Sequence, residues 1–283
     1  MLARVALAGL ALAIAVPLRS VASPLEIPLA AGPAGPLVEG RQPEDYARLV
    51  RTLAATLAGK LGLPVPPYTV EIYWQQTEFE QALVTSAKLS PETARNVAPF
   101  AKAVVSNRRV LVNESAIAKD PWPERVLGLA HELVHASQLE LAGQRSLVRY
   151  QWLIEGFAEL TAYRVCDALG LISLDGAGAQ IVGKVRAAST GAGLAPLRDL
   201  DSLDQWAAER RKRGFDASYP YAYLAVDFLI QRHSYERMLE FFRQRRKSSD
   251  PAANFQAAFD EDLAQFQAAL DVHLARILRA TRP

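Results

Sequence analysis

His131-Glu132-Leu133-Val134-His135 is the stretch on which the reading of this chain turns. With about 3.6 residues per helical turn, two histidines four apart lie on one face of a helix. Both imidazoles can then reach a single metal ion. Glu132 follows the first histidine and stands beside that face, where it can take a proton from a water held by the metal. The flanks support a helix from about 121 to 142. Asp120 is a suitable N-cap, Pro121 and Pro123 are tolerated in a first turn, and Glu124 favours the positive end of the helix dipole. Val126, Leu127, Ala130, Val134 and Leu141 form an apolar stripe at helical spacing, and Gly143 stands where the helix would stop.

Two histidines need a third protein ligand, and catalytic zinc commonly takes a carboxylate while leaving one position for water. The candidate is Glu155, within Trp152-Leu153-Ile154-Glu155-Gly156-Phe157-Ala158-Glu159-Leu160. This segment reads as a second helix from about 147 to 169, stopped at Gly170. Nineteen residues separate His135 from Glu155, enough for the first helix to end, the chain to turn at Gly143 and the second helix to return antiparallel. Gly156 permits close helix contact. Glu159, one turn beyond Glu155, is placed to accept a hydrogen bond from the distal nitrogen of a ligand histidine.

His-Glu-x-x-His followed by Trp-Leu-x-Glu-Gly-x-Ala resembles the gluzincin metallopeptidases, and most of all the bacterial peptidase MA-like domain, a relative of thermolysin and of the aminopeptidase N catalytic domain. The resemblance implies an α+β, thermolysin-like domain with a small N-terminal β-sheet and a mainly helical C-terminal part. It implies zinc bound by His131, His135 and Glu155, with Glu132 as general base. Ser218-Tyr219-Pro220-Tyr221-Ala222-Tyr223-Leu224-Ala225-Val226-Asp227-Phe228-Leu229 is similar to the family's tyrosine-bearing helix start. An oxyanion-stabilising tyrosine would fall on Tyr219, with Tyr223 as the alternative. Phe255 through Phe266 resembles the family's C-terminal helices. The interval before Glu155 is one residue longer than in aminopeptidase N relatives, and no Gly-x-Met-Glu-Asn segment is present, so aminopeptidase activity is not implied.

The expectation is therefore a zinc-dependent metallopeptidase acting on a peptide or protein substrate. Two alternatives stand beside it: a zinc metallohydrolase acting on a non-peptide amide, and a zinc-stabilised peptide-binding module without turnover. The intact Glu132 speaks against the second, since a structural site needs no general base and tends to be closed by a fourth protein ligand.

Half of the 283 residues are hydrophobic, so a sizeable core is expected and global disorder is excluded. Arg4, the apolar run from Val5 to Leu18 and the small residues Ser20-Val21-Ala22 read as a secretory signal peptide over residues 1–22. The apolar run is short for a membrane span, so an exported protein, periplasmic or secreted and without a stable span after cleavage, is expected. Removal of that segment takes away Arg4 and Arg19 and no acid, so the net charge falls from +2 to zero. Such a balance argues against a nucleic-acid partner. The basic runs Arg210 to Arg213 and Arg243 to Lys247 read as solvated helix ends. Cys166 is the only cysteine, which rules out an intramolecular disulfide, and it is expected to be buried and inert. His233 and His273 lack metal-ligand spacing.

Residues 23–42, rich in Pro, Gly and Ala, read as a linker or loosely docked arm ahead of a domain over 43–283. Residues 43–61 form an amphipathic helix presenting Tyr46, Leu49, Val50, Leu53 and Leu57. Strands are expected at 69–74, 103–106 and 109–113, the last two joined at Asn107-Arg108, and a helix at 77–87. In the gluzincin plan an edge strand pairs with an extended substrate; the sequence leaves open which strand that is. Residues 171–197 read as a connector, and helices follow at 221–232, 235–246 and 263–279. The oligomeric state is left open.

Overall fold

The computed structural model describes residues 23–280 other than 31, 33, 34, 146, 148, 191, 192 and 214; the expected signal peptide lies outside the described residues. The protein is α+β, with a small sheet contributed by the N-terminal part and helices after it. The strands are β1 (Leu25–Pro28), β2 (Thr69–Tyr73), β3 (Ala103–Ser106) and β4 (Arg109–Asn113). They lie in the order β1-β2-β4-β3, with β2 and β4 parallel and the outer pairs antiparallel. Val70 and Ile72 of β2 and Val110 and Val112 of β4 are buried in the main core. The edges are thus β1 and β3, and β3 packs against the helix that bears the two histidines.

The segment read as a linker is not loose at its start. Leu25 to Pro28 pairs antiparallel with β2 and buries Ile27, and Leu29 beyond it is buried too. Ladder bonds to a strand some 40 residues away leave no local periodicity in so short a segment, which is why composition alone misread it.

Helix α1 (Pro43–Leu61) has its expected boundaries and buried face; Gly62, at φ 63°, ends it. Helices α2 (Gln76–Thr85), α3 (Pro91–Val97) and α4 (Glu114–Ile117) cover the sheet region. Helix α5 (Trp122–Leu141) carries the His-Glu-x-x-His stretch. Its N-cap is Pro121 and not Asp120, whose carboxylate pairs with Lys102 at 2.7 Å. Gly143, at φ 66°, follows its end as expected.

Helix α6 (Gln151–Ala168) starts four residues later than the sequence pattern suggests. Tyr150 takes a left-handed backbone, φ 60°, and the first amides of α6 are satisfied from a distance: Tyr150 N–H donates to Asp201 Oδ1 at 2.7 Å and Gln151 N–H to the Asp201 carbonyl at 2.9 Å. A helix start normally leaves such donors unpaired.

Residues 174–189 form a helix, α7 (Leu174–Ser189), where a connector was expected. Its glycines obscured the pattern, but Ala177, Ile181 and Val185 are buried at four-residue spacing and Ser173 caps its start. A 3-10 turn (Leu197–Leu200) precedes α8 (Leu203–Arg213) and α9 (Phe215–His233). The latter begins at Phe215, six residues further upstream than expected, and runs through Pro220, which lies inside the helix and forgoes the bond to the carbonyl four residues back. Helices α10 (Tyr235–Gln244), α11 (Pro251–Phe259) and α12 (Leu263–Ala280) complete the chain. They close over an aromatic cluster in which Trp152 of α6 stacks on Phe266 at 5.8 Å and Tyr150 on Phe241 at 6.2 Å. Among the described residues no helix is long and apolar enough to cross a membrane.

Candidate metal centre

Helices α5 and α6 pack side by side and bring His131, His135 and Glu155 together. His131 Nε2 and His135 Nε2 are 3.0 Å apart, and Glu155 Oε2 is 3.2 Å from the first and 3.5 Å from the second. His131 and Glu155 are buried and His135 partly so. A group of this composition, two imidazoles and one carboxylate converging on one point, could hold a metal ion.

The far side of each of these groups is held as well. His131 Nδ1–H donates to Glu159 Oε2 at 3.1 Å, the partner expected from the sequence. His135 Nδ1–H donates to Gln138 Oε1 at 2.8 Å. Gln138 is fully buried, and its Nε2 donates to the Ile154 carbonyl at 2.8 Å, which fixes the amide with its oxygen toward the histidine. Gln151 Nε2 donates to Glu155 Oε1 at 2.7 Å. With each Nδ1 facing an acceptor, a ring in its neutral form carries its proton there and turns its Nε2 lone pair to the shared point. Gln138 and Gln151 escaped the sequence reading. Their signal was position alone: one turn after His135 and one turn before Glu155, on the same helix faces.

Burial by itself would lower the pKa of His131, but its hydrogen bonds to Glu155 and Glu159 outweigh that and hold it well above the usual histidine value. The Glu155 carboxyl is held low: burial opposes its ionisation, and the His135 charge together with hydrogen bonds from His131 and His135 overcome it. The Glu155 carboxylate thus stabilises positive charge on the two rings, as they do negative charge on it. Glu132 is partly buried beside them. Burial raises its pKa, and the neighbouring histidine charges work the other way.

Tyr219, from α9, comes to the histidine pair: its ring centroid is 5.9 Å from that of His131 at an interplanar angle of 67°. Tyr223, one turn on, packs instead edge-on against Tyr163 at 5.6 Å. Helix α8 secures Tyr219 from the other side. Trp206 meets its ring edge-on at 5.2 Å and the Arg210 guanidinium lies 5.1 Å from its centroid. Arg210, expected to be a solvated helix end, is thus partly buried on an aromatic face. Burial, followed by the Glu155 charge, pushes the Tyr219 phenol far above its ordinary range. It keeps its proton at neutral pH.

The close approach of α9 depends on Gly156. A Cβ there would stand 2.3 Å from the Ala222 carbonyl oxygen. The remaining histidines lie elsewhere, His233 against Glu261 and His273 stacked on Phe228. Cys166 is buried, its thiol pushed up to about 12 by burial and the Glu159 charge, in keeping with an inert residue.

No family model, curated protein or solved structure matches this chain. The functional reading rests on the site itself.

The hydrogen bond behind His135 has a measurable role. Gln138→Leu is expected to keep the fold, because the side chains are of similar size. It removes the acceptor that orients the ring, so metal affinity should fall about 10–100-fold. A competitive chelator titration reads this directly; unchanged affinity would show that Gln138 only fills space.

Proposed function

We propose that this protein is an exported zinc metallopeptidase of the thermolysin-like, gluzincin kind, with His131, His135 and Glu155 as the zinc ligands. The observation that carries the reading is the donor triangle. The three donor atoms lie 3.0, 3.2 and 3.5 Å from one another, close enough for one cation to be held by all three. Two imidazoles and one carboxylate suit zinc better than the oxygen-seeking cations. Among the described residues the group has three donors and no fourth, the protein-ligand number typical of a catalytic site, where a structural site would have four.

Bound zinc would supply a Lewis acid that polarises the scissile carbonyl and draws the pKa of a water toward neutrality. The chain's own residues do the rest. Glu132 takes the proton from the attacking water and delivers it to the leaving nitrogen; a carboxyl raised by burial suits both halves of that transfer. Tyr219, held protonated, donates a hydrogen bond to the carbonyl oxygen as negative charge develops there. Trp206 and Arg210 keep its ring in place. The edge strand β3, packed against α5, offers backbone groups to an extended peptide, a mode that reads main chain more than side chains. Export rests on the N-terminal apolar run of the sequence.

The test is metal analysis of the purified protein together with hydrolysis of casein and of a peptide library. Zinc is expected, at a content that drops in Glu155→Ala, and a chelator should abolish hydrolysis that added zinc restores. Hydrolysis that survives complete chelation would end the proposal. Zinc without cleavage of any peptide would leave a binding module, and cleavage confined to non-peptide amides would assign the same chemistry to another substrate.

A further inference from the structure

A concavity lies at the far end of α5, five residues beyond His135 and so roughly 8 Å further along the helix axis. It is open to solvent, has a volume of about 460 Å3 and is lined by the exposed Arg108, Gly143, Gln144, Arg145 and Arg246 and the half-buried Glu140. Three arginines against one glutamate leave two formal positive charges on its wall. Glu140 accepts a hydrogen bond from Gln144 Nε2 at 2.8 Å. Among the described residues no carboxylate pairs with Arg108, Arg145 or Arg246. The volume falls within the range of small-ligand pockets, about 300–1,000 Å3.

These cations are placed there against local preference. The β3–β4 hairpin turns at Asn107 and Arg108, with φ of 49° and 60°. Two positive φ values mark the tight turn that fits strand twist, and its second position is the natural place for glycine. An arginine there strains the backbone and puts a guanidinium at the mouth of the cavity. Gln144, at φ 61°, is a second non-glycine lining residue in the left-handed region. Strain of this kind persists where function keeps it.

Arg246 removes the main objection to an anion here. The C-terminus of α5 presents carbonyl oxygens that would repel one. Arg246 covers them, donating from Nε to the Leu141 carbonyl at 2.7 Å and from Nη2 to the Glu140 carbonyl at 2.6 Å. The basic run 243–247 is therefore not wholly a solvated helix end. Close by, burial and then the Arg145 charge lower the pKa of Arg245, so the cluster repels itself.

We propose that this cavity binds a phosphate dianion, free or as a phosphomonoester, through Arg108, Arg145 and Arg246. Guanidinium forks match phosphate oxygens in pairs, and a phosphomonoester carries about −1.5 to −2 charges at pH 7, the amount the wall leaves uncompensated. The site stands apart from the metal centre and does not depend on its chemistry.

Calorimetric titration of the full chain with inorganic phosphate, and separately with glycerol 3-phosphate, tests it, with ionic strength held constant by chloride. Saturable binding is expected, weakened at least 10-fold in Arg108→Gly and in Arg145→Gln. Arg108→Gly relieves the turn, so its melting temperature should equal or exceed that of the parent; loss of binding then has no folding explanation. Tighter binding of the ester identifies a phosphomonoester as the ligand, and equal binding identifies free phosphate. Absence of saturable binding, equal binding by both variants, or a stronger response to acetate than to phosphate overturns the proposal.

Discussion

Glu132→Gln is expected to keep the zinc content of the parent and to lose peptide hydrolysis by about 10²–10⁴-fold, the usual contribution of a positioned acid–base group. The substitution is close to isosteric and lies outside the donor set, since the three converging atoms belong to His131, His135 and Glu155. It removes the one carboxylate of the His131–His135 stretch. An amide can donate to the attacking water but cannot accept its proton. Kinetics on a quenched peptide with parallel metal analysis separate the two effects. Retained turnover would dismiss Glu132 as the base. A fall in both would show instead that the carboxylate supports the ligand cluster, to which its pKa is electrostatically linked.

Gly156→Ala sets two opposing effects against each other. Within a helix, alanine is favoured over glycine by about 1 kcal/mol. The added methyl, however, meets backbone: Ala222 O at 2.3 Å and Ala222 C at 2.7 Å, with Val226 Cγ2 at 2.8 Å. Backbone atoms cannot rotate aside, so α9 must retreat by on the order of 1 Å to restore ordinary contact. Overpacking of this sort costs about 1–3 kcal/mol, leaving a net loss of up to roughly 2 kcal/mol once propensity is counted. The larger consequence is for turnover. Helix α9 carries Tyr219, and a displacement near 1 Å can lower a rate about 10²-fold. His131, His135 and Glu155, the proposed metal ligands, sit on α5 and α6, so metal content should be unchanged. Denaturant unfolding, kcat and zinc content together check this; parent-like stability and kcat would mean that α9 is not seated on Gly156.

What was legible in the sequence was what local rules encode. The spacing within His131-Glu132-Leu133-Val134-His135 places both rings on one side of a helix wherever that helix goes. Gly143 and Gly170, both at positive φ, follow the ends of α5 and α6 as the pattern required. Two short strand-like runs around a two-residue turn marked β3 and β4. Glu159 could be anticipated because it shares a helix face with Glu155 at four-residue spacing.

The rest depended on partners remote in the chain. Asp201 meets the first amides of α6 some 50 residues away, and so moves its start past the point where its apolar pattern begins. Strand β1 exists because β2 offers it a ladder, and α7 because its short apolar stripe finds a buried place despite its glycines. Tyr219 and Tyr223 look interchangeable along the chain, four residues apart; the seating of α9 against α6 and α8 turns the first to His131 and the second to Tyr163. The cause is range. Periodicity, caps and breakers act within a turn or two of the backbone, whereas the choice among equivalent side chains is made by packing and by hydrogen bonds between segments that meet only once the chain has folded.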